Sequence, residues 1–200
     1  MVPFIGLTGG IGAGKSTALE ALEQLGAAVL STDAVVHGLY DDPEVSAAVR
    51  ERFGSSVADS GGGLDRRAIA GRAFATSEDR EWLEHLLWPR VGEAVATWRA
   101  QTEEREPPAR AAVVEVPLLF ESGMDQIFDA TIAILADENT RARRAAERGH
   151  SALAERAQRQ LPQEEKAARA TYVVCNDGTI GELKVALSEV LERLPPVSAN

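Results

Sequence analysis

Residues 9–16, Gly9-Gly10-Ile11-Gly12-Ala13-Gly14-Lys15-Ser16, fit G-x-x-x-x-G-K-[ST] at every position. The setting of this stretch constrains the fold. An apolar run, residues 2–7, leads into it. Behind it Ala18, Leu19, Ala21, Leu22 and Leu25 recur at helical spacing until Gly26. A strand turning through a glycine loop into a helix is the opening unit of a parallel α/β sheet. The glycines let the backbone curl so that successive N–H groups point into one concavity, and the helix adds its positive end. The cradle predicted for phosphate oxygens runs through Gly9, Gly10, Ile11, Gly12, Ala13, Gly14, Lys15, Ser16 and Thr17. Lys15 supplies a point charge for β- and γ-phosphates, and Ser16 supplies a hydroxyl for Mg²⁺. The pattern reads as a nucleoside triphosphate with Mg²⁺. It leaves the fate of the triphosphate open, because kinases, GTPase switches and mechanical ATPases share it.

Four further β-compatible runs follow, at 27–31, 111–116, 130–135 and 171–175, with helical patterns between them. Near-continuous apolar strands fit a sheet covered on both faces. The expected fold is a three-layer α/β/α arrangement with a five-stranded parallel sheet, whose ligands collect at the carboxyl ends of the strands. About 80 residues separate the second and third runs, too many for one crossover helix. Residues 40–107 read as a helical insertion into a single domain spanning 1–200. Within it, 54–65 read as a flexible connection, and 66–74 and 78–104 as helices with Thr76 and Ser77 as N-cap candidates and Pro89 as a kink.

A chain of 200 residues, 44% hydrophobic, builds one sizeable core. The net charge of −10 argues against a general binder of nucleic acid or anionic membrane, so an anionic ligand needs local cations. No apolar run approaches the ~18 residues of a membrane span. The N-terminus lacks the basic start of a signal peptide, so a cytoplasmic protein is expected. The single cysteine, Cys175, reads as a small buried residue late in a strand. His37, His85 and His150 show no metal-ligand spacing.

Candidates for chemistry stand just beyond the strands. Asp33, two residues after the second run, stands near the sheet's carboxyl edge, on the strand neighbouring the glycine loop if the topology is ordinary; a kinase needs a group at that edge to orient an acceptor hydroxyl and accept its proton, and a helix-capping role is the alternative. A Walker-B carboxylate for the Mg²⁺ water shell belongs at the end of the third run, and Glu115 is the one acidic residue inside it, costly there unless paired or bound. Glu121 follows a bend at Pro117 and reads either way. Asp137 is an N-cap candidate for a helix on which Arg141, Arg144 and Arg148 share a face, either as a solvated stripe or as cations for transferring phosphates. Asn176, in a turn signal after the fifth run, lies where an adenine could rest. Trp82, Trp88 and Trp98 all fall in the insertion, as packing or as a wall for a flat ring, with Trp88 the favoured wall.

Together these segments resemble the dephospho-coenzyme A kinase family. The resemblance is carried by "LTGGIGAGKST" at 7–17, Asp33, "LDRRAIAGRAF" at 64–74, "VPLLFESGM" at 116–124, the arginine helix, "LPQEEKAARA" at 161–170 and Asn176. It spans roughly residues 4–190. It implies transfer of the γ-phosphoryl group of ATP to the ribose 3′-hydroxyl of dephospho-coenzyme A. It implies Asp33 as base, Lys15 and Arg144 as catalytic cations, and Arg148 and Asn176 on ATP. The acceptor would be held by Thr8, Asp33, Arg67, Trp88, Glu115 and Leu118, with the insertion as its binding region, residues 138–165 as a lid, and a monomer as the expected state. The nearer alternative is another small-molecule kinase of this fold, acting on a nucleoside, a nucleotide or shikimate. The more distant one is a nucleotide-dependent switch. Four positions depart from the family pattern. Ser31 stands where an aspartate is frequent, Trp88 precedes Pro89 in place of histidine, Glu115 replaces aspartate, and Thr171 replaces a frequent aspartate.

Overall fold

All five apolar runs form strands: β1 (Phe4–Gly9), β2 (Ala28–Ser31), β3 (Ala112–Glu115), β4 (Ala130–Leu135) and β5 (Tyr172–Cys175). They pair in parallel in the order β2-β3-β1-β4-β5. The computed structural model describes residues 1–59, 61–73, 75–147 and 160–194. The chain divides into two units, one of Met1–Ser31 with Trp98–Asn200 and one of Thr32–Thr97.

In the first unit, strand alternation assigns each residue a face. Ile5, Leu7, Val113, Ile132, Ile134 and Val174 pack with Ala18, Ala21 and Leu22 of α1 (Lys15–Gln24) and with Leu183 and Leu187 of the last helix, Ile180–Arg193. Each such leucine or isoleucine contributes about 1.5–3 kcal/mol by leaving water. On the opposite face a Cβ at Gly6 would stand 2.9 Å from the Phe128 ring and 3.1 Å from Leu119. Phe4 stacks on Phe128 at 4.5 Å. The guanidinium of Arg99 lies 4.3 Å from the Phe4 ring centre. Burial on both faces explains why β1, β3 and β4 read as unbroken apolar runs.

The second unit has its own core. It contains α2 (Thr32–Leu39), α3 (Pro43–Phe53), α4 (Arg66–Ala73) and most of α5 (Ser77–Glu103). Val45, Val49 and Phe53 fall at i, i+4 and i+8 on α3 and meet Val57, Ile69 and Leu87. Asp42 caps α3, its Oδ1 accepting from Glu44 N at 2.9 Å and Val45 N at 3.1 Å, with Pro43 at the first helical position. Thr76 caps α5 by accepting from Asp79 N at 3.0 Å. Pro89 does not end α5, because buried Leu87, Val91 and Val95 hold the helix on either side of it. Trp82 meets Phe53 edge-on at 5.5 Å and is a packing residue. Trp98 is half-buried, and Trp88 is 55% exposed.

Three expectations are corrected. The described residues of the 54–65 connection are ordered by local bonds: Gly54–Val57 forms a short 3₁₀ turn, Ala58 bridges Leu64, and Asp59 Oδ1 accepts from Gly61 N and Gly63 N, both at 2.8 Å. An aspartate that bonds local backbone donors orders a glycine-rich turn that composition alone reads as loose. Cys175 is exposed, because β5 is an edge strand covered less than the centre of the sheet. Finally, β2 does not neighbour β1; β3 lies between them.

Candidate active site

β1 ends at Gly9 and α1 begins at Lys15, so the glycine loop spans the carboxyl edge of the central strand. The N-cap residue of α1 is Gly14, which has no side chain to cap the first turn. The N–H groups of that turn are therefore directed at whatever anion occupies the loop. Lys15 Nζ donates to the carbonyls of Gly9 at 3.1 Å and Gly10 at 3.3 Å, which folds the ammonium over the concavity. Ser16 is exposed at the helix start, and Thr17 is half-buried beside it.

Two side chains clamp this loop. Asn176, immediately after β5 and 5% exposed, donates from Nδ2 to the Ala13 carbonyl at 2.9 Å. Gly14 adopts φ +89°, and a Cβ there would collide with Asn176 Nδ2. On the other side, Arg141 Nε donates to the Ile11 carbonyl at 3.0 Å, and Nη1 pairs with Glu138 at 2.8 Å. Gly12, at φ +77°, makes room for the Arg141 backbone, whose Cα would lie 2.9 Å from an added Cβ. Both glycines combine a left-handed backbone with a close approach, and both conditions exclude other residues.

Arg141 and Arg144 lie on α6 (Glu138–Glu147), the first helix after β4. Asp137 caps it, accepting from Thr140 N at 3.0 Å; the hydroxyl and backbone of Thr140 hold its carboxyl below the usual aspartate range. One turn beyond Arg141, Arg144 Nη1 is buried next to Gly14 and has no hydrogen-bond partner among the described residues. A buried guanidinium nitrogen without an acceptor is costly unless a ligand supplies one. Arg148 and His150 fall outside the described residues.

Glu115, the last residue of β3 and 7% exposed, is in register with Leu7 of β1 and Ser31 of β2. Ser31 Oγ donates to its Oε2 at 2.8 Å. Two departures from the family pattern thus meet as a pair. A serine at 31 donates to the carboxylate where an aspartate would repel it.

Thr8 is fully buried beneath the loop. Its hydroxyl donates to the Pro117 carbonyl at 3.4 Å and accepts from Lys166 Nζ at 3.3 Å. Lys166 sits on α7 (Gln163–Arg169), has no exposed surface, and pairs with Glu121 at 2.8 Å. Burial pulls its ammonium below the ordinary lysine range, opposed by Glu121. Sequence reasoning missed Lys166 and gave Arg141 no individual role. Arg141 lies on the predicted arginine stripe and Lys166 inside the family-matching run 161–170, but neither pattern reveals their individual roles, because their partners come from distant segments. Leu118, half-buried, follows Pro117, and its carbonyl accepts from Ser122 Oγ at 2.7 Å. Thr171, another departure, exchanges bonds with Thr131: Thr131 N reaches its Oγ1 at 3.1 Å, and Thr171 N reaches Thr131 Oγ1 at 3.0 Å.

In the second unit, Asp33 lies in the first turn of α2, where the helix dipole favours a carboxylate. Arg67, exposed on α4, lines an open cavity of about 550 Å³ with Tyr40, Asp41, Asp59, Leu64 and Asp65. The exposed ring of Trp88 lies on α5 of this unit.

Among the described residues no group of three or more His, Cys, Asp or Glu forms a metal cage. No helix of the described residues is long and apolar enough to cross a membrane.

The family model described as dephospho-CoA kinase matches residues 3–182. The dephospho-CoA kinase of Chlorobaculum tepidum is 36% identical over 198 residues, covering 96% of this chain and 94% of that protein. That of Deinococcus radiodurans is 37% identical over 198 residues, covering 95% and 91%. A solved structure from Thermus thermophilus is 34% identical, with a TM-score of 0.82 over 98% of this chain and 100% of that one. With its glycine loop, parallel sheet and arginine helix, this chain belongs to the dephospho-CoA kinase family.

Proposed function

We propose that the protein transfers the γ-phosphoryl group of ATP to the ribose 3′-hydroxyl of dephospho-coenzyme A, giving coenzyme A and ADP, with the residue roles that follow. The loop N–H groups and Lys15 hold the triphosphate. Ser16 would hold Mg²⁺ together with the ATP phosphates and Glu115 would hold its water shell; when bound, the ion would neutralise phosphate charge. Asp33 accepts the proton of the 3′-hydroxyl as its oxygen bonds to phosphorus and the bond to the β-phosphate oxygen breaks. Arg144 stabilises charge on the transferring group, joined by Arg148. Asn176 keeps the loop in shape from the nucleotide side. Arg67, Trp88 and Leu118 contact the acceptor, and Thr8 supports the loop from below.

The observation that carries this reading is the buried Nη1 of Arg144 beside Gly14, unpartnered among the described residues. It provides a cation where a phosphate would lie, in a chain of net charge −10. The chain has no Asn-Lys-x-Asp guanine reader, which weighs against a GTPase switch. A cytoplasmic monomer is the state expected of it. Turnover of Mg²⁺-ATP against dephospho-coenzyme A, adenosine, cytidine monophosphate, shikimate and no acceptor tests the reaction. ADP release confined to dephospho-coenzyme A, with one phosphate added by mass, is the expected result. Turnover with another acceptor would reassign the substrate, and acceptor-independent hydrolysis alone would favour a switch.

A further inference from the structure

The largest fully buried side chain among the described residues is charged. Lys166 has no exposed surface, and its ammonium has three N–H donors. All three have partners: Thr8 Oγ1 at 3.3 Å, the Pro117 carbonyl at 2.8 Å and the Glu121 carboxylate, 2.8 Å to Oε1 and 3.1 Å to Oε2. Lys166 therefore cannot grip a phosphate without releasing one of them. Glu121 is also occupied twice, since its Oε1 accepts from Leu161 N at 2.8 Å. Nearby, Arg169 lies 4.8 Å from the Phe120 ring and donates to the Phe120 carbonyl at 3.4 Å, closing the same corner.

Stability alone does not account for this lysine. A buried ion pair commonly does no better than a well-packed apolar pair, because desolvation offsets the attraction. The pair does specify geometry. It joins the residue before the last of β1, the turn after β3 and the chain entering α7, segments more than a hundred residues apart at their extremes.

We propose that Lys166 and Glu121 are positioning residues for phosphoryl transfer, their ion pair setting Pro117 and Leu118 against Thr8 so that an acceptor resting on Leu118 is aligned with the glycine loop. The inference rests on the kinase reading and on Leu118 as an acceptor contact. It separates two functions. The loop is clamped by Asn176 and Arg141, neither of which bonds to this cluster, and the ion pair reaches it through the single 3.3 Å bond to Thr8 Oγ1, so nucleotide binding depends on the pair far less than alignment of the acceptor does.

The test uses the full chain with two variants, Glu121→Gln and the double change Lys166→Met with Glu121→Met. The double change removes both charges together and avoids leaving one buried alone. Mg²⁺-ATP affinity, melting temperature, kcat and the KM for dephospho-coenzyme A are measured for each. The expected result is ATP affinity within about twofold of the parent, kcat lower by at least about tenfold and a raised acceptor KM, as misalignment of a reacting group produces. Glu121→Gln shows a smaller loss, because its amide oxygen still accepts. A kcat and acceptor KM unchanged in a folded variant overturn the proposal. So does a fall in ATP affinity parallel to kcat, which marks a general structural role. Should the double variant not fold, Glu121→Gln decides by the same criteria. A parent enzyme without dephospho-coenzyme A-dependent turnover refutes the kinase reading itself, whereas an active parent with indifferent variants refutes this inference alone.

Discussion

Asn176 and Ala13 are joined by a buried hydrogen bond, 2.9 Å from amide nitrogen to carbonyl oxygen. The bond reaches from the end of β5, past β4, to the loop after β1. It makes the shape of the phosphate loop depend on an edge strand 163 residues away in sequence. Asn176→Ala leaves the Ala13 carbonyl without its partner, at about 1–3 kcal/mol. Calorimetric titration should show ATP affinity lowered by roughly tenfold, with a lower melting temperature. Unaltered affinity would mean the loop holds its shape unaided.

Gly14→Ala meets two obstacles, a left-handed backbone and the Asn176 amide. ATP binding should be lost, and adding Asn176→Ala should not restore it, because φ +89° remains unfavourable once the collision is gone. Recovery of binding in the double variant would show that the collision was the whole effect.

Arg144→Ala should lower kcat by about 10²–10³ and change ATP affinity far less, as expected for a donor whose partner appears in the transition state. Steady-state kinetics with ATP varied at saturating acceptor separates the two. An effect confined to ATP affinity would place Arg144 on the ground-state nucleotide.

The last helix, α8 (Ile180–Arg193), carries a pH-dependent cap. Glu182 accepts from Thr179 N at 2.7 Å and from Thr179 Oγ1 at 2.9 Å, and these donors, the backbone first, hold its carboxyl below the usual glutamate range. A lowered folded pKa gives stabilisation that is complete above the unfolded value and lost as pH falls through the folded one. The parent should therefore melt above Glu182→Gln at pH 7, and the gap should close as pH drops below about 4. A gap independent of pH would show that the charge contributes nothing.

The parts legible in the sequence were those set by local pattern. Strands buried on both faces announce themselves as apolar runs, and the glycine loop carries its own spacing. Glu115 stood out because a lone carboxylate in an apolar run needs a partner, and Ser31 is one. What escaped depends on contacts between distant segments. Nothing near Lys166 in the sequence shows that Thr8, Pro117 and Glu121 converge on it. The position of β3 between β2 and β1 is a property of the crossovers, which periodicity does not encode. Cys175 resembles a core residue in a β-branched run, and only its place on an edge strand exposes it.

The central claim is transfer of the γ-phosphoryl group to dephospho-coenzyme A with Asp33 as the base. The most direct measurement follows γ-labelled ATP in a single turnover, comparing the parent with Asp33→Asn. The account predicts label in coenzyme A at the 3′ position for the parent. For Asp33→Asn it predicts a rate lower by about 10²–10⁴ with ATP binding intact. Label appearing only as inorganic phosphate, or full transfer by Asp33→Asn, would contradict it.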